Sequence, residues 1–124
     1  MEAQPADAAP SWLMALRDPL IGRVLSVLHD RPGEQWTLAA LADEVHLSRA
    51  TLARRFTNAV GEPPLSYLGR WRMHLAAERL AHGTETVEEV ARRVGYTSEY
   101  AFSRAFSRHR GQPPGRYRRL AQAA

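Results

Sequence analysis

Three features predict an all-α fold for this chain: apolar residues recur at helical spacing, no stretch alternates as a strand would, and the sequence repeats itself internally. The repeat is the decisive one. Thr37, Leu38, Leu41, Ala42 and Val45 match Thr86, Val87, Val90, Ala91 and Val94 at an offset of 49 (37 to 86). Ser48, Leu52, Arg54, Phe56, Gly61, Pro63, Pro64 and Tyr67 then match Ser98, Phe102, Arg104, Phe106, Gly111, Pro113, Pro114 and Tyr117 at an offset of 50 (48 to 98). The second copy therefore carries one extra residue, and it falls in Gly95-Tyr96-Thr97, where a turn would absorb it.

Taken in order, residues 1–18 are expected to be linker, since 1–10 are mostly Ala, Pro and acids and cannot build a core. Within them Ser11 to Arg17 brings Trp12, Leu13, Met14 and Leu16, enough for one or two helical turns. Asp18-Pro19 supplies an N-cap followed by proline at the first helical position. Leu20, Ile21, Val24, Leu25 and Leu28 keep helical spacing until Pro32-Gly33 stops the run, so the first helix is about 19–30. Each repeat copy then reads helix, short turn, helix. Thr86 with Glu89 three residues on is a capping box, and Ser48 and Ser98 are placed to cap the helices that follow the turns. Gly61 and Gly111 end those helices, with a proline pair after each. Between the copies a connector of about 65–81 carries two apolar stripes, Tyr67, Leu68, Trp71 and Leu75 on one side and Leu65, Met73, Ala76 and Leu80 on the other. At about 1.5 Å per residue it spans roughly 25 Å, a large part of one turn of B-DNA. A last short helix, about 114–121, repeats the connector's start.

The architecture expected is thus two helix-turn-helix subdomains joined by a long connector helix, about seven helices, over 19–124: a first unit at about 19–61 and a second at about 86–121. The chain of 124 residues has room for one such domain and not for a catalytic domain beside it. No apolar run approaches the roughly 20 residues that cross a bilayer, and the N-terminus has no signal-peptide core, so no membrane partner and a cytoplasmic location are expected. With no cysteine, thiolate metal sites and disulfides are excluded. His29, His46, His74, His82 and His109 lack metal-ligand spacing and read as surface or half-buried histidines, so no metal and no cofactor are expected. Nor does a convergent set of acids, bases and nucleophiles suggest an enzyme. Every basic residue is arginine, and residues 98–124 hold six of them against Glu99 alone, a sign asymmetry that suggests a polyanionic partner.

On a 100° wheel Leu52, Phe56 and Ala59 cluster on the inner face of the first copy's second helix. The opposite side presents Ala50, Arg54, Thr57 and Asn58, with Arg49, Thr51 and Ala53 at the margins. In the second copy Phe102 and Phe106 turn inward and Tyr100, Arg104, Ser107 and Arg108 outward, with Glu99 and Ser103 alongside. A lone exposed arginine is by default solvated. Arg54 and Arg104 recur at one repeat position, which favours base reading, since arginine pairs bidentately with guanine. Tyr100 has two readings of equal standing, a contact to a thymine methyl or phosphate, or a partly buried aromatic cap. Glu99 fits a favourable anion near a helix N-terminus better than a cytosine contact. Arg49, Arg55 and Arg108 suit phosphates or salt bridges, where they position rather than specify. Arg70, Arg72, Arg116, Arg118 and Arg119 default to structural ion pairs, and Trp12, Trp36 and Trp71 to core.

These residues resemble the AraC/XylS family of bacterial transcription regulators. Ser48…Leu52…Arg54…Phe56…Gly61…Pro63 and Gly95-Tyr96…Ser98…Phe102-Ser103-Arg104…Phe106…Gly111…Pro113 carry the likeness over about 19–120. The resemblance implies a monomer that sets two recognition helices, about 48–60 and 98–110, in successive major-groove segments of double-stranded DNA. It implies base contacts from Ala50, Ala53, Arg54, Glu99, Tyr100, Ser103 and Arg104. The backbone would then be held by Ser48, Arg49, Arg55, Thr57, Ser98, Ser107 and Arg108. The rival reading is a protein-interaction role for the same helices, with RNA polymerase as the candidate partner. Residues 1–18 would be an interdomain remnant, with a sensor or dimerisation domain outside this chain. The sequence departs from the family pattern at Ala50 and Ala53, shorter than usual readers, and after each phenylalanine, where Thr57 and Ser107 replace a common lysine. His46 also occupies a place where a turn glycine is frequent.

Overall fold

The computed structural model describes residues 18–123, and over them it contains seven helices and no strand. The helices are α1 (Pro19–Asp30), α2 (Leu38–Glu44), α3 (Arg49–Val60), α4 (Pro64–His82), α5 (Val87–Arg93), α6 (Glu99–Arg110) and α7 (Pro114–Ala123). The expected linker, the helical turns at 11–17 and the core role of Trp12 fall outside the described residues. Among the described residues no helix is long and apolar enough to cross a membrane.

Two compact units divide the chain inside α4. Of the described residues, unit 1 takes 18–30 together with Trp36–Tyr67, and unit 2 takes Arg31–Gln35 together with 68–123. The short loop after α1 therefore packs with the second unit, although it lies in sequence among elements of the first.

In unit 1, Ile21, Val24, Leu25 and Leu28 of α1 are buried with Leu41, Ala42, Leu52 and Phe56. Asp18 starts α1 by accepting from the Leu20 amide at 3.2 Å, and its other carboxylate oxygen accepts from Arg55 Nε at 3.1 Å. Tyr67 closes the far side: its ring meets Phe56 edge-on at 5.9 Å, and its hydroxyl shares a 2.6 Å hydrogen bond with His29 Nε2. Unit 2 repeats the plan with Met73, Ala77, Leu80, Val90, Val94, Phe102 and Phe106. There Tyr117 meets Phe106 edge-on at 5.3 Å, the counterpart of Tyr67 on Phe56.

The two-stripe reading of the connector needs one correction. Met73, Ala76 and Leu80 are buried, but Leu65 is 41% exposed. The stripe faces the core of unit 2, which begins at Leu68; at Leu65 the helix still belongs to unit 1, where Pro64 and Tyr67 turn inward instead.

Candidate nucleic-acid interface

Each unit offers one outward helix, and local chemistry fixes where it starts. After α2 the Leu47 amide donates to Ala42 O at 2.9 Å and the His46 amide to Asp43 O at 3.3 Å; after α5 the Tyr96 amide donates to Ala91 O at 2.9 Å and the Gly95 amide to Arg92 O at 3.1 Å. Both are Schellman-type endings, in which the residue after the C-cap takes positive φ. That residue is Gly95 in unit 2, at 102°, and His46 in unit 1, at 59°. Because Leu47 and Tyr96 still correspond at the smaller offset and Ser48 and Ser98 at the larger, the inserted residue is Thr97.

Ser48 Oγ then accepts from the Thr51 amide at 3.1 Å, and Ser98 Oγ from the Ala101 amide at 3.2 Å, so α3 and α6 begin at equivalent places. Thr86 and Glu89 form both hydrogen bonds of the capping box at α5; Thr37 caps α2 from one side only. Gly61 and Gly111 close α3 and α6 in the left-handed conformation.

On α3, Arg49, Ala50, Arg54, Thr57 and Asn58 are exposed and Ala53 is half-buried, while Leu52 and Phe56 hold the helix to its core. On α6, Glu99, Tyr100, Arg104 and Arg108 are exposed, Ser103 and Ser107 half-buried, and Phe102, Ala105 and Phe106 buried. The sequence-predicted base-reading residues thus share one solvent-facing side of each helix. Tyr100 is 71% exposed, which removes the buried-cap alternative. Arg104 reaches back one turn to it, with Cζ 5.7 Å from the ring centroid and Nη1 donating to the hydroxyl at 3.3 Å. In α3 the position matching Tyr100 holds Ala50, so Arg54 has no such brace.

Of the two roles open to Arg55, the structure shows the salt bridge. Its Nη2 lies 2.6 Å from Asp18 Oδ1, pairing it bidentately with the carboxylate that caps α1. Partial burial works to raise the Asp18 carboxyl, but the Arg55 hydrogen bond and charge and the amides of Ile21 and Leu20 outweigh it, and it lies below the ordinary range. In unit 2, hydrogen bonding from Arg79 leads in holding the Glu85 carboxyl down; burial, next in size, opposes it, and Arg93 adds to the lowering. Burial pushes the His29 ring below the usual histidine value, against the opposing charge of Asp30.

Arg72 and Arg118 are structural, though not through ion pairs. Arg118 Nε donates to Leu80 O at 3.1 Å, and Arg72 donates to two loop carbonyls, Pro32 O at 2.9 Å and Glu34 O at 2.7 Å. Burial lowers the Arg72 pKa while Tyr96 acts in the other direction; a guanidinium stays charged under either influence. Sequence reasoning missed these contacts and the Asp18–Arg55 pair because the partners lie 37 to 40 residues apart with no periodic signal linking them. Among the described residues no cluster of His, Cys, Asp or Glu could hold a metal ion.

Comparison with known proteins agrees with this geometry. The family model of the helix-turn-helix domain matches residues 41–120. An AraC-like transcription regulator of Streptomyces lividans is 49% identical over 112 residues, 90% of this chain and 37% of the relative. RclR, an RCS-specific HTH-type transcriptional activator of Escherichia coli strain K12, is 39% identical over 113 residues, 90% of this chain and 40% of the relative. The chain therefore spans well under half the length of these curated relatives. Among solved structures, the DNA-binding domain of AdpA in complex with a target DNA superposes with a TM-score of 0.80 at 32% identity, over 83% of this chain and 93% of that one. The C-terminal domain of AraT, a response regulator from Geobacillus stearothermophilus, gives 0.81 at 30% identity, over 83% and 86%.

Proposed function

The chain belongs to the AraC-type helix-turn-helix family of transcription regulators, and from that premise we propose that it binds double-stranded DNA sequence-specifically through α3 and α6, each in its own major-groove segment. The observation that carries this reading is the matched pair of outward helix faces. Each is capped at an equivalent serine and each lifts an exposed arginine, Arg54 or Arg104, from an equivalent position. A guanidinium there can donate two parallel hydrogen bonds to a guanine edge. Ala50 and Ala53 beside Arg54, and Glu99, Tyr100 and Ser103 beside Arg104, complete the two reading faces.

The cap Ser48 with Arg49 and Thr57 of α3, and the cap Ser98 with Ser107 and Arg108 of α6, flank those faces and serve the phosphates, which set register rather than sequence. Arg55 is the weakest member of that set, because its guanidinium is already committed to Asp18. The function proposed is recognition, not catalysis, and it requires no cofactor.

Selection of bound sites from random duplex DNA, followed by mobility shift at moderate salt, tests it. A consensus with sequence preference in two separate segments is the expected result. Uniform binding to every duplex, with a salt slope and no preference, would sink the proposal.

A further inference from the structure

Arg72 sits at the centre of a clasp in unit 2, on a helix that carries none of the proposed DNA-contacting residues. Its guanidinium donates to Pro32 O and Glu34 O, and its Cζ stands 6.0 Å from the Tyr96 ring centroid. It also packs on Gly95 so closely that a Cβ there would come within 2.8 Å of Nη2. The loop is held from its other end as well: Gln35 Nε2 donates to Gly95 O at 2.8 Å, and a Cβ on Gly33 would meet Arg93 O at 2.7 Å. Pro32, Gly33, Glu34 and Gln35 are thus tied, directly or through Arg72, to the segment Arg93–Tyr96 that leads into α6.

The turn in turn grips the helix. Tyr96, whose ring Arg72 faces on one side, meets Phe102 edge-on at 5.6 Å, and Phe102 is fully buried one turn into α6. Three residues separate Gly95 from Glu99, the first residue of α6. A tilt at Gly95-Tyr96 would therefore carry directly to Glu99, Tyr100, Ser103 and Arg104. Bidentate contacts to base edges tolerate little misalignment, and residues that touch no ligand can govern such contacts through the elements they hold.

We propose that Arg72 is a positioning residue for DNA reading: by fastening Pro32–Gln35 over the Gly95-Tyr96 turn, it sets the orientation of α6. The inference rests on the DNA-binding reading above. Its alternative is that Arg72 merely stabilises unit 2, and the two differ in what they do to discrimination between sequences.

The test titrates the 124-residue chain and its variants against the selected site and single-base variants of it, at a temperature where circular dichroism shows each protein folded. Base pairs are assigned to α6 where Arg104→Ala relaxes preference, and to α3 where Arg54→Ala does. Arg72→Met keeps the apolar stem and removes the donors. It is expected to lower discrimination about tenfold at the α6 base pairs and to leave the α3 base pairs unchanged. Arg72→Lys, which keeps the charge without the planar fork, should recover part of the loss. Undiminished discrimination in folded Arg72→Met, or equal losses at both sets of base pairs, would overturn the proposal. Should Arg72→Met not fold, Gln35→Ala decides, since Gln35 is exposed: a loss of about twofold or more confined to the α6 base pairs supports the role, and no loss refutes it. If the unaltered chain shows no sequence preference, the DNA reading itself has failed, a result visible before any Arg72 variant is made.

Discussion

In unit 1 the turn before the outward helix hangs on His46, a non-glycine at φ 59°, and Arg54 stands over Ala50 with nothing bracing it. In unit 2 the same turn uses Gly95 at φ 102° beneath the Arg72 guanidinium, and Arg104 leans on Tyr100. One sequence plan has been built twice, once with slack and once under constraint. An arginine side chain holds about 2 kcal/mol of rotamer entropy, and a helix partner one turn away reduces what remains to be lost on binding. The comparison teaches that repeat symmetry fixes where the two arginines stand, while the neighbours of each decide how much freedom its side chain keeps.

The largest effect should come from forcing the constrained turn to resemble the slack one. Gly95→Ala places a Cβ at positive φ and into the Arg72 guanidinium, combining backbone strain with overpacking, so a loss of about 3 kcal/mol is expected in urea unfolding. A loss under about 1 kcal/mol would mean that the clasp yields easily and that the two turns are equivalent after all.

Next in size are the two proposed readers. Arg104→Ala is expected to cost about 1–3 kcal/mol against the selected site and to relax preference at one or two base pairs. Arg54→Ala should cost less, about 1 kcal/mol, because an unbraced side chain returns more entropy when it is removed. Equal losses, measured by anisotropy titration, would erase the asymmetry. A uniform loss on all sequences would reassign either arginine to phosphate.

The difference between the units was only partly legible in the sequence, and the reason is distance. Caps act within four residues, so Ser48, Ser98, Thr86 with Glu89, and the terminal Gly61 and Gly111 could be read directly, as could the inward faces around Phe56 and Phe106. Long-range polar contacts carry no period. Asp18 could be read as a cap but not as the partner of Arg55, and Arg72 could not be matched to carbonyls of a loop 40 residues earlier. Leu65 failed for a related reason: its stripe continues along α4, but the core it would face does not begin until Leu68.

Acidity should separate the units by the pH at which each begins to weaken. The Asp18 carboxyl is depressed in the folded chain, so its contribution is complete above its unfolded value, near 4, and is lost as pH falls through the folded value. Glu85 gives unit 2 the same sign in the same range. In unit 1 a histidine adds to this. His29 is depressed below its unfolded value of about 6.5, so the folded state favours the neutral ring, and stability is lost from there downward as pH falls through the folded value. His29→Gln should therefore flatten the pH dependence of stability below pH 6.5 while Asp18→Asn flattens only the acid limb. Asp18→Ala also removes a cap and half of a partly exposed ion pair, together about 1–1.5 kcal/mol at neutral pH.

The smallest expected effect is the most diagnostic, because it has the opposite sign. His46 adopts a conformation that costs an L-residue about 1–2 kcal/mol, and glycine adopts it freely. Against that gain, glycine enlarges the conformational freedom of the unfolded chain by about 0.5–1 kcal/mol. His46→Gly should therefore stabilise by about 0.5 kcal/mol, a rise in Tm of about 2–4 °C for a domain of this size. The His46 side chain is exposed, so a fall in Tm would show that the ring nonetheless holds the α2–α3 turn. Set beside Gly95→Ala, the pair changes the same Schellman position in opposite directions. Gain at one and loss at the other is what two turns of equal backbone shape and unequal surroundings require.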